Sequence, residues 1–183
     1  MLIALNFDCL RLSLCNLYAP NNVSEQLQFI QELNSFLIDK AEPTALIVGG
    51  DWNCTLSRKD KKGGARWKPT SFRNAVLIKM DVFDLIDIQR EKYPNVNKYS
   101  YLSKALDVKS RINFLLVAKN LTKYVKKSDI QPSIAPDHCA VYIFCLFQKS
   151  TPGDQVFGNL ITRYLLMMNI YRNGERAIPF FEE

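Results

Sequence analysis

Short apolar runs alternate with amphipathic stretches along this chain, and the pattern predicts a mixed α/β fold. Strands are predicted where apolar residues run together or alternate over strand length, at 2–7, 10–17, 45–48, 99–101, 112–118, 124–130 and 139–147. Helices are predicted after Ser24 and after Thr70 or Ser71, and 83–88 is predicted to lead into a third short helix that Tyr93-Pro94 closes. Single helices stand between the strands, and adjacent strand pairs lie near both ends. This order favours an α/β sandwich of mixed sheets over a regular doubly wound fold.

The length of 183 residues corresponds to about one domain. The pattern weakens after residue 147, where Thr151, Pro152 and Gly153 interrupt the last predicted strand. We therefore predict one domain over 1–147 and a linker-like tail of unassigned function over 148–183. An apolar stretch at 160–170 within that tail is consistent with a helix.

The composition is that of a folded protein with a modest excess of positive charge. Hydrophobic residues make up 48% of the chain, and the net charge of +6 favours a polyanionic partner such as nucleic acid. The five cysteines show no C-x-x-C spacing, which predicts reduced, buried thiols in an intracellular protein, nuclear or cytoplasmic. No apolar run reaches the roughly 18 residues of a membrane span, so no membrane partner is expected.

The densest cluster of basic residues lies in the segment 58–68, which we call the basic loop. Its members are Arg58, Lys59, Lys61, Lys62, Arg66 and Lys68. A solvated surface loop accounts for such a cluster, and so does a loop that contacts phosphates. The cluster follows the polar motif at 51–53 closely in the sequence, and this proximity is the reason to consider a loop that contacts phosphates.

Two polar motifs carry the candidate chemistry. Asp51 and Asn53 are two residues apart, so on an extended backbone they point to the same side, where a carboxylate can orient water and a carboxamide can donate to phosphate. Asp137 suits a hard cation such as magnesium, and His138, the one histidine of the chain, can donate to a phosphoryl group. An ordinary turn explains the first motif alone, and a structural histidine explains the second. Together they match metal-dependent phosphodiester hydrolysis, which needs charge neutralisation, a positioned water and phosphoryl donors.

A third candidate is Tyr18, at the junction between a predicted strand and a loop. Its phenol can contact a phosphate, or it can cap the core.

Four segments occur in an order that is typical of one superfamily. They are Asn16-Leu17-Tyr18-Ala19-Pro20-Asn21, Gly50-Asp51-Trp52-Asn53, Ser110-Arg111-Ile112-Asn113-Phe114 and Pro136-Asp137-His138. The chain resembles the endonuclease/exonuclease/phosphatase superfamily, and within it the apurinic-type endonuclease domain of non-LTR retrotransposons (long interspersed elements).

The resemblance implies a four-layered α/β sandwich that hydrolyses DNA phosphodiesters with Mg²⁺. In such elements the domain nicks target DNA to prime reverse transcription, so DNA and a reverse transcriptase domain are the implied partners. Carried over by position, the roles are phosphate contact for Tyr18 and Asn53, water activation for Asp51, metal binding for Asp137, and transition-state stabilisation for His138. Arg111 joins the basic loop among the residues expected to contact nucleic acid.

Two departures from the family pattern predict impaired or absent catalysis. The family opens upstream with further strands, one ending in the glutamate that is its principal metal ligand, and we expect this chain to lack those first strands. Asn113 also stands where the family has an aspartate that fixes the histidine and favours its charged form. The analogous change in a Ser-His-Asp triad lowers turnover by about 10⁴-fold.

Two other functions stay open. One is a non-catalytic nucleic-acid-binding remnant, which the net charge and the basic loop favour. The other is a different phosphodiesterase of the superfamily, such as a phosphatase, deadenylase or sphingomyelinase. The stretch 58–72, with Trp67-Lys68-Pro69-Thr70, resembles retrotransposon domains more closely.

Overall fold

The computed structural model describes residues 1–7, 10–40, 45–133, 137–148 and 161–168. Its helices are α1 (Val23–Lys40), α2 (Ser71–Val82) and α3 (Ile88–Lys92), with 3₁₀ turns at Arg58–Asp60 and Lys119–Leu121. Its strands are β1 (Leu2–Phe7), β2 (Leu10–Tyr18), β3 (Leu46–Asp51), β4 (Lys61–Lys62), β5 (Leu85–Asp87), β6 (Tyr101–Ser103), β7 (Val108–Ser110), β8 (Asn113–Ala118), β9 (Val125–Pro132), β10 (Cys139–Gln148) and β11 (Ile161–Met168).

The largest sheet has the strand order β1-β2-β3-β8-β5. Strands β2 and β3 are parallel, and the other neighbours are antiparallel. Every residue of β3 and of β8 is buried, as a continuous apolar run predicts for strands covered on both faces. The mixed sheet and the β1–β2 hairpin pairing confirm the α/β sandwich prediction.

Two smaller sheets complete the strand pairing. One has the order β11-β10-β9, and the other, built from short strands, has the order β4-β7-β6. The helix suggested at 160–170 is wrong for 161–168, because that segment forms β11 and pairs with β10 from Val141↔Met168 to Gln148↔Ile161. A short apolar run fits a helix or a strand equally well. Here the run forms a strand because it can pair with the side of β10 that β9 leaves open.

The ends of the helices follow capping chemistry, with one difference from the prediction. Thr70 caps α2 by accepting a hydrogen bond from the main-chain N–H of Arg73 (3.1 Å), as predicted. The first helix begins at Val23 instead of after Ser24, because the Asn22 side chain accepts from the Ser24 N–H (3.1 Å) and takes the capping position.

The third helix lies where the sequence predicts it, from Ile88 to Lys92 with Tyr93 at its end, and a short strand precedes it. Residues 85–87 form this strand, β5, and pair with β8. Asp87, the last residue of β5, accepts from the Arg90 N–H (3.3 Å) and caps that helix. The three-residue strand β5 is not predicted from the sequence, because its formation depends on pairing with the buried strand β8.

The cysteines are unpaired where the structure describes them. Cys15, Cys54, Cys139 and Cys145 are free thiols. Burial, the largest influence on both, raises the pKa of Cys54 and of Cys145 to about 12, so these thiols are protonated at neutral pH. No helix in the described ranges combines the length and hydropathy needed to cross a membrane.

Candidate active site

The polar signatures meet where three strands end or begin. Asp51 is the last residue of β3, and it lies in register with Tyr18 of parallel β2 and with Asn113 of antiparallel β8. His138 lies just before β10 and forms an isolated bridge with Tyr101, whose ring centroid is 5.0 Å from that of the imidazole. Residues that are far apart in the chain are thus brought together where strands of the main sheet end or begin.

His138 lies beside two oxygen acceptors. Its Nδ1 is 3.3 Å from Oδ1 of Asn113 and 3.8 Å from Oδ2 of Asp51. All three side chains are buried. Because both neighbours of Nδ1 are oxygens, the tautomer that carries its proton on Nδ1 satisfies this arrangement. Nε2 then accepts a proton in the neutral ring and donates in the imidazolium form.

Ser100 holds Asn113 in place. Its hydroxyl donates to Oδ1 of Asn113 (3.0 Å) and accepts from the main-chain N–H groups of Asn113 (2.8 Å) and Ile112 (3.1 Å). Sequence reasoning missed this residue, and the alternating hydroxyls at 99–101 were the available signal. The amide Nδ2 of Asn113 is buried and has no hydrogen-bond partner among the described residues, so one oxygen serves both Ser100 and His138.

Asp51 and Asn53 are held together by a turn. Asn53 has φ of +46°, outside the extended region, so strand alternation does not account for their proximity. Instead Oδ1 of Asp51 accepts from the Asn53 N–H (2.9 Å), an Asx turn, and Nδ2 of Asn53 donates to the Ala19 carbonyl (2.6 Å). This second bond ties the motif to the segment that carries Tyr18.

Tyr18 lies at the surface. Its side chain is 46% exposed, and its hydroxyl is 3.5 Å from Nδ2 of Asn21. This position suits a phosphate contact better than a role in capping the core.

Asp137 is half-buried, and its main-chain carbonyl accepts from the Leu102 N–H (2.9 Å), which fastens the Asp-His segment to β6. Within the described ranges, no group of three or more Asp, Glu, His or Cys side chains stands close enough together to hold a metal ion. Magnesium takes about six oxygen ligands in octahedral geometry. The described residues alone assemble no such set of ligands.

Arg111 differs from its expected role as a nucleic-acid contact. Only 1% of it is exposed, and its guanidinium binds the buried carboxylates of Asp60 (2.7 Å) and Asp87 (3.1 Å). Arg90 completes this cluster at 2.6 Å from Asp60. Burial opposes ionisation of Asp60, but the hydrogen bonds and charges of Arg111 and Arg90 outweigh it and hold the pKa of Asp60 below its ordinary value. We call these four residues the buried ion cluster, which leaves Arg111 no surface from which to reach a phosphate.

The basic loop follows the Asp51 motif in the chain and is mostly exposed. Its first part is fixed, because Asp60 is buried in the ion cluster and Lys61 pairs with Ser110 through β4 and β7. Five of its six cations are exposed, namely Arg58, Lys59, Lys62, Arg66 and Lys68, and Lys61 is half-buried. The segment that follows β3 and its Asp51 motif in the chain thus presents exposed cations.

The chain is similar in sequence to a transposon protein and similar in fold to several solved structures. The chain is 27% identical over 143 residues to the Transposon TX1 uncharacterized 149 kDa protein of Xenopus laevis, a match covering 76% of the chain and 11% of that protein. No protein-family model matches the chain.

Solved structures give the fold. The AP endonuclease of Archaeoglobus fulgidus matches 75% of the chain at a TM-score of 0.61 and 16% identity, over 62% of its own length. AP endonuclease LMAP of Leishmania major matches 75% at a TM-score of 0.61 and 20% identity, over 51% of its length. The endonuclease domain of TRAS1, a telomere-specific non-LTR retrotransposon, matches 75% at a TM-score of 0.59 and 11% identity, over 57% of its length.

The chain therefore has the endonuclease/exonuclease/phosphatase fold, which confirms the resemblance carried by the four signatures. Within that fold it is similar in sequence to a transposon protein and in structure to a retrotransposon endonuclease domain. It spans about half to three fifths of the solved structures and about a tenth of the transposon protein.

Proposed function

We propose that this chain is a retrotransposon-type endonuclease module that binds DNA and hydrolyses its phosphodiesters slowly or not at all. The observation that carries the proposal is the convergence of Asp51, Asn113 and His138 at one strand edge, with Nδ1 of the imidazole facing both other side chains. The fold and the transposon relative agree with it.

Each side chain has a role that its position suits. The Asp51 carboxylate orients or deprotonates the attacking water, and Nε2 of His138 donates to the phosphoryl oxygens as they gain charge. Tyr18 contacts the phosphate from the surface. Asn53 holds the segment that carries Tyr18 through its hydrogen bond to the Ala19 carbonyl. Asn113 orients the imidazole but adds no charge of its own to stabilise the protonated form, and this adds to the incomplete metal site as a physical reason for slow turnover.

The proposal includes magnesium as the metal ion, bound by Asp137 together with ligands from outside the described residues. When bound, it would neutralise charge on the phosphoryl group. Asp137 offers one carboxylate, and the remaining ligands would come from beyond the described residues or from the substrate. A reverse transcriptase region of the same parent element is the proposed protein partner, and action on DNA places the chain in the nucleus or cytoplasm.

Nicking of supercoiled plasmid tests the catalytic half of the proposal. We expect folded protein with magnesium to give at most trace nicking, and the Asn113→Asp variant to stay equally slow. The added carboxylate favours the imidazolium, but it completes no three-ligand metal group in the described chain. EDTA and Asp51→Ala are the controls, with circular dichroism to confirm folding.

Two results would change this conclusion in different ways. Vigorous nicking by Asn113→Asp would show that the missing charge alone limits turnover. Metal-dependent nicking by the unmodified protein that disappears in Asp51→Ala would keep the endonuclease assignment and refute the impairment.

A second candidate function, binding of nucleic acid without hydrolysis, is favoured by the exposed cations of the basic loop. It predicts weak binding with little sequence preference. The affinity should fall steeply with salt, because each neutralised phosphate releases counterions.

The loop's part in binding can be measured by paired alanine substitutions. We expect Arg58→Ala with Lys62→Ala to make the slope of log affinity against log salt shallower by about 1 to 2, since each lost phosphate contact removes roughly 0.9. The matched control is Arg11→Ala with Lys40→Ala, which removes two exposed charges from the start of β2 and the end of α1, away from Tyr18 and Asp51. Equal slopes for the two variants would exclude the loop as the binding surface.

A further inference from the structure

The chemistry of the candidate active site depends on which end of the Asn113 side chain faces His138. A carboxamide has an oxygen that accepts and a nitrogen that donates, whereas the two oxygens of a carboxylate are equivalent. In the structure Oδ1 of Asn113 lies 3.3 Å from Nδ1 of His138, and Nδ2 has no hydrogen-bond partner among the described residues. If the amide turned over, Nδ2 would gain a partner by donating to Nδ1. The orientation seen in the structure therefore requires a contact that holds it.

The Ser100 hydroxyl fixes the orientation of this amide. It accepts from the main-chain N–H groups of Ile112 (3.1 Å) and Asn113 (2.8 Å), and these two bonds occupy both of its lone pairs. Its one proton is left to donate, and it donates to Oδ1 of Asn113 at 3.0 Å. A turned amide would place the Nδ2 donor against this hydroxyl donor. Because Ser100 and Asn113 are both fully buried, water cannot relieve the contact between two donors.

The imidazole is itself held in place, so the choice of amide end becomes a choice of tautomer. The ring of Tyr101 packs against that of His138 with centroids 5.0 Å apart, and Oγ of Ser133 donates to the His138 carbonyl (2.7 Å). The Asp51 carboxylate, 3.8 Å from Nδ1, favours a proton on the same nitrogen but lies beyond hydrogen-bonding distance. Oδ1 of Asn113 is the nearer acceptor for a proton on Nδ1.

We propose that Ser100 is a positioning residue that selects the Nδ1-protonated tautomer of His138 by dictating which end of Asn113 faces the ring. In a Ser-His-Asp triad, the exchange of aspartate for asparagine gives the wrong histidine tautomer and lowers turnover by about 10⁴-fold. Ser100 prevents that outcome here, because its hydroxyl keeps the amide oxygen toward the ring. The inference rests on the proposed function, since Nε2 must be free to take up a proton before it can donate one to a phosphoryl oxygen.

This role differs from general structural support, because it should disappear when residue 113 carries a carboxylate. Either oxygen of an aspartate can accept from Nδ1 of His138, so the orientation of that side chain no longer matters. Removal of the Ser100 hydroxyl should therefore change the tautomer when residue 113 is the native Asn113 and leave it unchanged in the Asn113→Asp background.

The first test is a nuclear magnetic resonance measurement on the unmodified protein, whose single histidine gives one set of imidazole signals. Long-range proton–nitrogen correlation spectra distinguish a protonated Nδ1 from a protonated Nε2. They are recorded without DNA or metal, at a pH at which the ring is neutral. We expect a protonated Nδ1 in the unmodified protein and in Ser100→Thr, which keeps the hydroxyl. A protonated Nε2 in the unmodified protein would overturn the proposal without the need for any variant.

The second test removes the hydroxyl in two backgrounds. Ser100→Ala should shift the tautomer ratio by about tenfold toward protonated Nε2, the change in an equilibrium that one hydrogen bond of ordinary strength produces. Ser100→Ala combined with Asn113→Asp should keep the proton on Nδ1. An unchanged ratio in Ser100→Ala would refute the selection, and an equal shift in the combined variant would reduce Ser100 to general support of the site.

The matched control is Ser128→Ala, which removes another buried serine hydroxyl, from β9, and should leave the imidazole signals in place. Ser100→Ala also deprives the N–H groups of Ile112 and Asn113 of their partner, so circular dichroism checks its folding. If it does not fold, Ser100→Cys takes its place, because a thiol is only a weak donor. The expected shift is then smaller but has the same direction, and an unchanged ratio again refutes the selection.

These spectra do not depend on DNA cleavage, so they separate this inference from the proposed function. A tautomer that responds to Ser100→Ala, in a protein that neither nicks nor binds plasmid, would support the positioning role and refute the proposed function. A tautomer that does not respond, in a protein that binds plasmid, would refute the positioning role and leave the DNA-binding proposal standing.

Discussion

Replacing Arg111 by methionine should lower the free energy of unfolding by about 4 kcal/mol, because removal of one partner from a buried ion pair leaves its counter-charge uncompensated. Arg111 is 1% exposed and binds Asp60 and Asp87, which are themselves buried. Methionine fills much of the arginine volume but offers neither charge nor hydrogen-bond donors. Since single domains unfold with only about 5–15 kcal/mol, this loss would remove a large part of the total stability.

Urea or guanidinium unfolding followed by circular dichroism measures the effect. The matched control is Lys40→Met, because Lys40 pairs with Asp39 at 2.8 Å but both side chains are more than 60% exposed. Water and salt screen such a pair, so this control should not change stability measurably. An equally small effect at Arg111 would mean that the buried ion cluster relaxes or hydrates when one member is lost.

The same cluster gives stability a defined dependence on acid. Because the pKa of Asp60 lies below its ordinary value of 3.8, the unfolded chain takes up this proton at a higher pH than the folded chain. The stabilisation by Asp60 is therefore complete above the ordinary pKa and is lost as the pH falls through the lowered one. The drop in unfolding free energy between about pH 6 and pH 3 should be smaller in Arg111→Met, which has already lost much of this contribution.

Local patterns predicted much of the main sheet and the strand ends that carry the site. The run at 45–48 is apolar without interruption, so the sequence predicts a strand buried on both faces. The polar residues that follow the run therefore indicate where this strand ends. The placement of the Asp-His pair before β10 follows in the same way. Burial of a continuous run depends on the residues themselves, which is why these predictions hold.

Features that depend on distant partners could not be predicted this way. Arg111 stands 51 residues from Asp60 and 24 from Asp87, so nothing near it in the chain distinguishes a buried arginine from one that contacts phosphate. Ser100 likewise acquires its role only because its hydroxyl meets the start of β8. The strand β11 depends on an edge offered by β10, a partner that periodicity within 160–170 does not reveal.

The substitution Gly50→Ala should be as damaging as any in the chain, because it forces two central strands apart at the candidate active site. Gly50 has φ of +142°, and a Cβ atom added there would lie 1.9 Å from the carbonyl oxygen of Leu17. That oxygen belongs to the backbone of β2, which pairs with β3 at this position, so it cannot rotate away. Backbone strain of about 1–3 kcal/mol and a similar overpacking cost add to roughly 4 kcal/mol of lost stability.

Gly64→Ala is the matched control, because Gly64 also has a positive φ, of +64°, but its added Cβ would meet only a methyl group of Val108, at 2.6 Å. A side-chain methyl can move, so we expect a loss of about 1–2 kcal/mol from backbone conformation alone. Because Asp51 follows Gly50 directly and lies in register with Tyr18, separation of β2 from β3 should also displace both side chains and weaken DNA binding through the phosphate contact that we propose for Tyr18. A Gly50→Ala protein that unfolds and binds like the Gly64→Ala control would show that the two strands are not packed as tightly as this register requires.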